Sequence, residues 1–154
     1  ETKAAIRKVM EWAFVEGIPP RESAKLIRDL VGLTERDATA VINRRFRLLE
    51  QGRSPAFVAR DAERYAGKLH RRRALTIART ETMRASVRGQ QELWDQAIAK
   101  KLLSSRMLKR WLVADPCPLC EVHADETVPV QEPFSADIPL HPNCRCVAGL
   151  VKEP

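Results

Sequence analysis

The chain has 154 residues, 44% hydrophobic and 31% charged, with 27 Lys/Arg against 20 Asp/Glu and a net charge of +7. That length suits one domain with a core, or one domain with a small appendage. No signal-peptide pattern is present, and no apolar run approaches the roughly 20 residues a membrane-crossing helix needs, so no membrane partner is expected. The charge is uneven: residues 1–114 hold 25 Lys/Arg against 13 Asp/Glu, giving +12, and residues 115–154 hold 2 against 7, giving −5. A basic part of this kind can meet nucleic acid or an acidic protein surface, or coat solvated helix faces with arginine. The chain opens on Glu1 rather than methionine, so it reads as part of something longer.

Proline divides the chain. Six of the ten lie between Pro116 and Pro142, and none falls from Ala56 to Asp115. The first part is therefore expected to be helical and the last forty residues irregular with short strands. Ile6, Val9, Met10, Ala13 and Phe14 recur at helical spacing, and Gly17 sits where a C-terminal cap belongs. Pro19-Pro20 opens a second helix with Ala24, Ile27, Leu30 and Val31 on one face, closed by Gly32. Thr34 is an N-cap for a third, striped by Ala38, Val41, Ile42, Arg45, Phe46 and Leu49 and ended by Gly52. Ser54-Pro55 starts a fourth, whose buried side is marked by Val58, Ala62, Tyr65 and Leu69. A long helical segment follows from about Arg72 to Leu103, with Leu75, Ala78, Met83, Val87, Trp94, Ala97 and Ile98 as its stripe. After Ser104-Ser105, "MLKRWLV" alternates as a strand does.

The expected fold class is mainly α: a helical domain with a small, irregular/β, cysteine-rich C-terminal module. Its parts are a helical lead-in of three short helices over 1–54, long helices over 55–105, and a Trp strand with the Cys/His module over 106–154.

The second and third helices, joined through "VGLT", admit a helix-turn-helix reading in which Arg44, Arg45 and Arg47 contact phosphates. Helix pairs with a short glycine-containing turn also occur in plain bundles, and Arg28 stands where a tight crossing wants a small residue. The cysteines say more. Cys117 and Cys120 form a C-x2-C knuckle able to reach one zinc ion, and His141 and Cys144 repeat the spacing. Cys146 is a fifth donor able to replace His141, and His123 a more distant one. A proline-rich segment with little core of its own would gain folding energy from a structural metal. Two disulfides between the pairs, or free thiols, are the alternatives. A nuclease-like use of His141, Asn143, His123 and Asp125 is a further reading, although nothing in the spacing fixes a nucleophile beside a base. In "IARTETMRAS" (77–86), Glu81 can pair with Arg84 or Arg88 on its own helix, or the turn can face another module.

"RALTIARTETMRASVRGQQELW" (73–94), then "RWLVADPCPLC", Phe134 and "PLHPNCRC" together resemble the phage Mu F-like head-morphogenesis family of minor head proteins. The resemblance covers about residues 65 to 151, and residues 18–54 are more loosely similar to the helical lead-in of some members. By position the family motif falls on Arg79, Thr80, Glu81, Trp111, Cys117, Cys120, His141, Pro142, Cys144, Arg145 and Cys146. The resemblance implies a structural, non-enzymatic role in the virion head, with portal protein, scaffold, coat or packaged DNA as partners and assembly in the bacterial host cytoplasm. In that reducing compartment a disulfide would not persist, which favours zinc held by four of Cys117, Cys120, His141, Cys144 and Cys146. One departure is that members often carry a glycine in a "DG" turn after the C-x2-C, where this chain reads "CEVHADETV", with Ala124-Asp125 at the turn.

Docking of the acidic C-terminal segment is expected through Trp111, Val113 and Phe134 against the long helix. Arg145 is expected to pair with Glu81, with Asp115 as the second choice of carboxylate.

Overall fold

The computed structural model describes residues 2–114 and 117–152, so Asp115 lies outside the described residues. The chain is mainly helical. Four helices come first: α1 (Thr2–Val15), α2 (Pro20–Ile27), α3 (Glu35–Glu50) and α4 (Pro55–Ala99). A small region of strands follows, with β1 (Leu108–Leu112), a four-residue turn of helix α5 (Pro118–Glu121), β2 (Thr127–Pro129) and β3 (Val147–Val151). Two compact units divide the chain at residues 1–78 and 79–154, and the boundary falls inside α4.

In the first unit the helix ends follow local chemistry. Gly17 takes φ +67, the left-handed conformation that glycine adopts at least cost. The Ile18 amide then donates to Ala13 at 2.8 Å and the Gly17 amide to Phe14 at 3.1 Å, the two bonds of a Schellman cap. Gly52, at φ +71, ends α3 in the same way through Arg53 to Leu48. Thr34 caps the start of α3, its hydroxyl accepting the Asp37 amide at 3.1 Å. The core gathers Met10, Ala24, Ile27, Val31, Ala74 and Ala78, with Ile6, Val9, Leu75 and Ile77 packed against it.

Three expectations are corrected here. The second helix does not run to a glycine cap: it tightens into a 3-10 turn over Arg28–Leu30, after which Val31 is extended, and Leu30 is exposed. A 3-10 turn frees the chain two residues early and lets Val31 rather than Leu30 enter the core. The α3 stripe is not buried: Ile42, Phe46 and Leu49 are all exposed. What ties α3 down is polar. Asp61 of α4, only 6% exposed, accepts Arg44 Nε at 2.5 Å and Arg44 Nη2 at 3.2 Å, and Arg64 Nη2 at 3.0 Å. The Arg44 guanidinium also lies 4.9 Å from the Tyr65 ring centre. Finally, the fourth and fifth helical patterns are one helix of 45 residues. It stops at Ala99 rather than Leu103, because Lys101 takes φ +58 and the Leu102 amide closes on Ala97 at 2.8 Å.

The second unit is a three-stranded antiparallel sheet in the order β2-β1-β3, with the last part of α4 supplying Trp94 to its core. Lys109 pairs with Val128 on one side and Leu150 on the other; Trp111 pairs with Ala148. Alternation along β1 turns Lys109 and Trp111 to the same, buried side. That core holds Trp94, Trp111, Cys120, Val130, Ile138, Cys144, Cys146 and Ala148, with Val113 and Phe134 packed against it, as expected of the few large apolar groups in a proline-rich segment.

Candidate metal centre

The knuckle begins where β1 gives way to α5. Pro118 occupies the first helical position, where its missing N–H costs nothing. The amides of Cys120 and Glu121 close on the Cys117 carbonyl at 2.9 Å each. This turn points the Cys117 and Cys120 side chains the same way. The Cys117 thiol is lowered by the Cys120 amide and side chain, with the Leu119 amide and His141 adding to the effect. Cys120 lies deeper, and burial drives its thiol well up.

The second half comes from "HPNCRC". Asn143 takes φ +59, and the Cys144 amide turns back to the His141 carbonyl at 3.1 Å, so His141 and Cys144 project from one tight loop. Asparagine tolerates this conformation better than most residues. His141 Nδ1 lies 2.9 Å from the Pro142 carbonyl. A carbonyl only accepts, so Nδ1 carries the proton and Nε2 keeps a free lone pair. That lone pair faces the thiols, 3.3 Å from Cys117 Sγ and 3.1 Å from Cys120 Sγ. The His141 pKa is raised, first by the Pro142 carbonyl. At Cys144, burial works upward, but the amides of Cys146 and Leu140 and the neighbouring thiols outweigh it, and the thiol is lowered.

Two overlapping sets of three donors result. Cys117, Cys120 and His141 lie within 4.8 Å of one another, and so do Cys120, Cys144 and Cys146. Cys120 belongs to both, and its Sγ is 3.9 Å from Cys144 Sγ. All four cysteines are free thiols. The cluster is thus a candidate metal site with five donors for a metal that commonly takes four.

His123 belongs to neither set. Its ring stacks on Trp111 at 4.8 Å, and its Nδ1 meets Glu126 at 3.2 Å and Ser135 at 3.0 Å. Ser135 donates to Glu126 through its amide and its hydroxyl, both at 2.7 Å, which lowers the carboxyl. Asp125 is at the surface, 3.9 Å from Arg110, so the nuclease-like residues are spread over separate contacts. Asp125 also takes φ +61 at the turn where glycine was expected by resemblance, and its amide still closes on the Trp111 carbonyl at 3.1 Å.

Trp111 is fully buried and meets Phe134 edge-on at 5.4 Å. Its Nε1–H has no well-aligned acceptor among the described residues; its dipole acts on Cys146, where burial raises the thiol and the indole partly offsets it. Arg79 is exposed on α4. Thr80 reaches the knuckle, accepting the Asn143 amide at 3.1 Å. The expected Glu81–Arg145 pair is corrected: Glu81 bonds Arg84 one turn along its own helix, and Arg145 is exposed. A pair three apart on one helix needs no loop to be ordered, so it forms at lower entropic cost. Two features went unread in the sequence. The Asp61 clamp has no periodic signature, but Lys109 has one, because it shares the parity of Trp111 in "LKRWL". Compared with known proteins, the chain matches no family model, no curated protein and no solved structure.

Proposed function

We propose that the C-terminal unit is a zinc-stapled structural module and that the chain serves as a minor head protein of a tailed phage or prophage. In this reading it acts in head assembly or genome handling, in the virion head and in the host cytoplasm during assembly, through portal, scaffold or coat. The observation that carries the zinc half is the convergence of five donors in two sets that share Cys120, one with Cys117 and His141 and the other with Cys144 and Cys146. Zinc–sulfur bonds of about 2.3 Å place tetrahedral sulfur pairs about 3.8 Å apart, beside the 3.9 Å of Cys120 and Cys144. The Pro142 carbonyl acts as the outer-shell partner that holds the histidine in its ligating tautomer. Four protein donors leave no open position for substrate, so the metal is structural. The head-protein half rests on the order of the resemblance, with the ARTE turn of α4 touching the HPNCRC loop through Thr80 and Asn143.

Elemental analysis of protein purified under reducing conditions should find about one zinc per chain, and chelation should unfold residues 106–154 before the helices. Metal-free protein with paired cysteines overturns the staple. For the second half, mass spectrometry of heads purified from the phage or induced prophage should find this chain; heads that assemble normally without it overturn the assembly reading.

Packaged DNA is favoured as an additional partner by one groove in the first unit. Arg21, Lys25, Arg28 and Arg71 line about 290 Å³ around Ala24 and Leu75. Contact there would be to phosphates, independent of sequence and steeply weakened by salt. Equal affinity for unrelated duplexes, reduced by Arg21→Ala with Arg71→Ala, is the expected result; sequence-selective binding would restore the helix-turn-helix reading.

A further inference from the structure

The second unit carries a second site, distinct from the cysteines. A cavity of about 240 Å³ lies between α4 and the sheet, lined by Arg84, Arg88 and Gln91 from the helix and Lys109 from β1, with Trp94, Phe134 and Ile138 as apolar wall. The unusual member is Lys109. It is 6% exposed and sits on the core face of the central strand, where an apolar residue belongs. Its ammonium donates to Gln91 Oε1 at 2.8 Å and stands 5.1 Å from the Phe134 ring centre. Gln91 is in turn held by the Val130 carbonyl at 2.9 Å and Asp95 at 3.2 Å, so it cannot swing away. A buried ammonium has three donors, and one neutral amide is thin compensation for its lost hydration. Burial accordingly lowers its pKa, with the Asp95 charge opposing.

The other lining charges leave an excess. Arg84 is already paired with Glu81, whereas Arg88 makes no ion pair or hydrogen bond among the described residues, and Asp137 is the one acidic lining residue. The geometry points to a recognition pocket for a carboxylate side chain, presented by an acidic–apolar peptide segment of a partner protein and held between Arg88 and Lys109. The carboxylate would accept from the planar guanidinium and from the spare ammonium donors, while an adjacent apolar residue covers Trp94 and Phe134. The volume is below that of a site for a drug-sized ligand and suits one or two side chains. A nucleic-acid strand fits less well, because Asp137 stands at the cavity and much of its wall is apolar.

The inference does not rest on the head-protein reading. Its test uses the full, metal-loaded chain and the probe N-acetyl-Leu-Glu-Leu-amide, with the Gln peptide, inorganic phosphate and a ten-residue oligothymidylate as comparisons. Nuclear magnetic resonance would follow the Trp94 indole and the Lys109 ammonium. The Glu peptide should shift both at millimolar concentration, and the Gln peptide should bind about tenfold more weakly, the loss of one charge-assisted contact. Arg88→Ala, an exposed change that leaves the core intact, should weaken the Glu peptide about tenfold as well. Lys109→Met should abolish the shifts if circular dichroism shows it folded; if it unfolds, the Arg88→Ala result decides. Equal binding of the two peptides, no effect of Arg88→Ala, or no shift at all would overturn the proposal. Stronger binding of phosphate or the oligonucleotide would overturn it in favour of a phosphate site.

Discussion

Thr80 Oγ1 accepts the backbone amide of Asn143 at 3.1 Å, joining the middle of α4 to the loop that presents His141 and Cys144. The bond holds a residue whose own conformation, φ +59, sets the direction of both donors. Thr80→Val keeps the shape and removes the acceptor, so it should cost about 1 kcal/mol, with Thr80→Ser retaining most of the stability. Urea unfolding of the protein measures this; an unchanged midpoint in Thr80→Val would show that water replaces the bond without loss.

Cys120 sits in both donor sets, whereas Cys146 sits in one. Cys120→Ser should therefore remove metal from the purified chain, an effect larger than the about 10–100-fold that losing an outer-shell partner costs. Cys146→Ser should leave the stoichiometry unchanged. Competition with a chromogenic chelator distinguishes them; metal lost in both variants would place it among Cys120, Cys144 and Cys146, and metal kept in Cys120→Ser would overturn the shared role of Cys120.

Acid should act on the first unit through Asp61. Hydrogen bonds from Arg44, then from Arg64, hold its carboxyl below the ordinary value of 3.8. A depressed folded-state pKa gives stability that is present above the unfolded value and lost as pH falls through the folded one. The difference in unfolding midpoint between the parent chain and Asp61→Asn should be flat from about pH 7 to pH 5 and shrink only below about 3.8. A difference that disappears between pH 6 and 7 would assign the effect to another group.

Lys101 occupies a left-handed position where glycine is preferred. Lys101→Gly should stabilise by roughly 0.5–1 kcal/mol, since the strain exceeds the added unfolded-state entropy of glycine. Thermal unfolding would show a rise in midpoint; a fall would mean that the lysine side chain contributes more than its backbone costs.

Much of this fold could be read from residue types that carry their own conformational preference. Gly17 and Gly52 mark Schellman caps, Thr34 an N-cap, and Pro118 the first turn after Cys117. Lys101 ends α4 in the same geometry without a glycine, which is why the predicted end overshot. The donor cluster was legible because C-x2-C and H-x2-C encode their turn in their spacing. The Thr80–Asn143 link was not, because a backbone amide has no letter of its own. The α3 stripe shows the opposite failure: helical periodicity identifies a face, but not what covers it, and here Ile42, Phe46 and Leu49 remain exposed.

The position of the unit boundary has a practical consequence. Residues 78 and 79 are consecutive members of a continuous helix, not of a linker. Proteases cut extended chain, and a helical peptide bond must first unwind to enter their clefts. Limited digestion should therefore spare the boundary and nick elsewhere. A truncation made at Arg79 would create a helix start with no capping residue in place of backbone bonds to the preceding turn. A cut upstream, at the Ser54-Pro55 start of α4, would instead strip the first unit of Asp61, Ala74 and Ala78, while Thr80, Gln91 and Trp94 of the same helix serve the second, so neither cut yields both units intact.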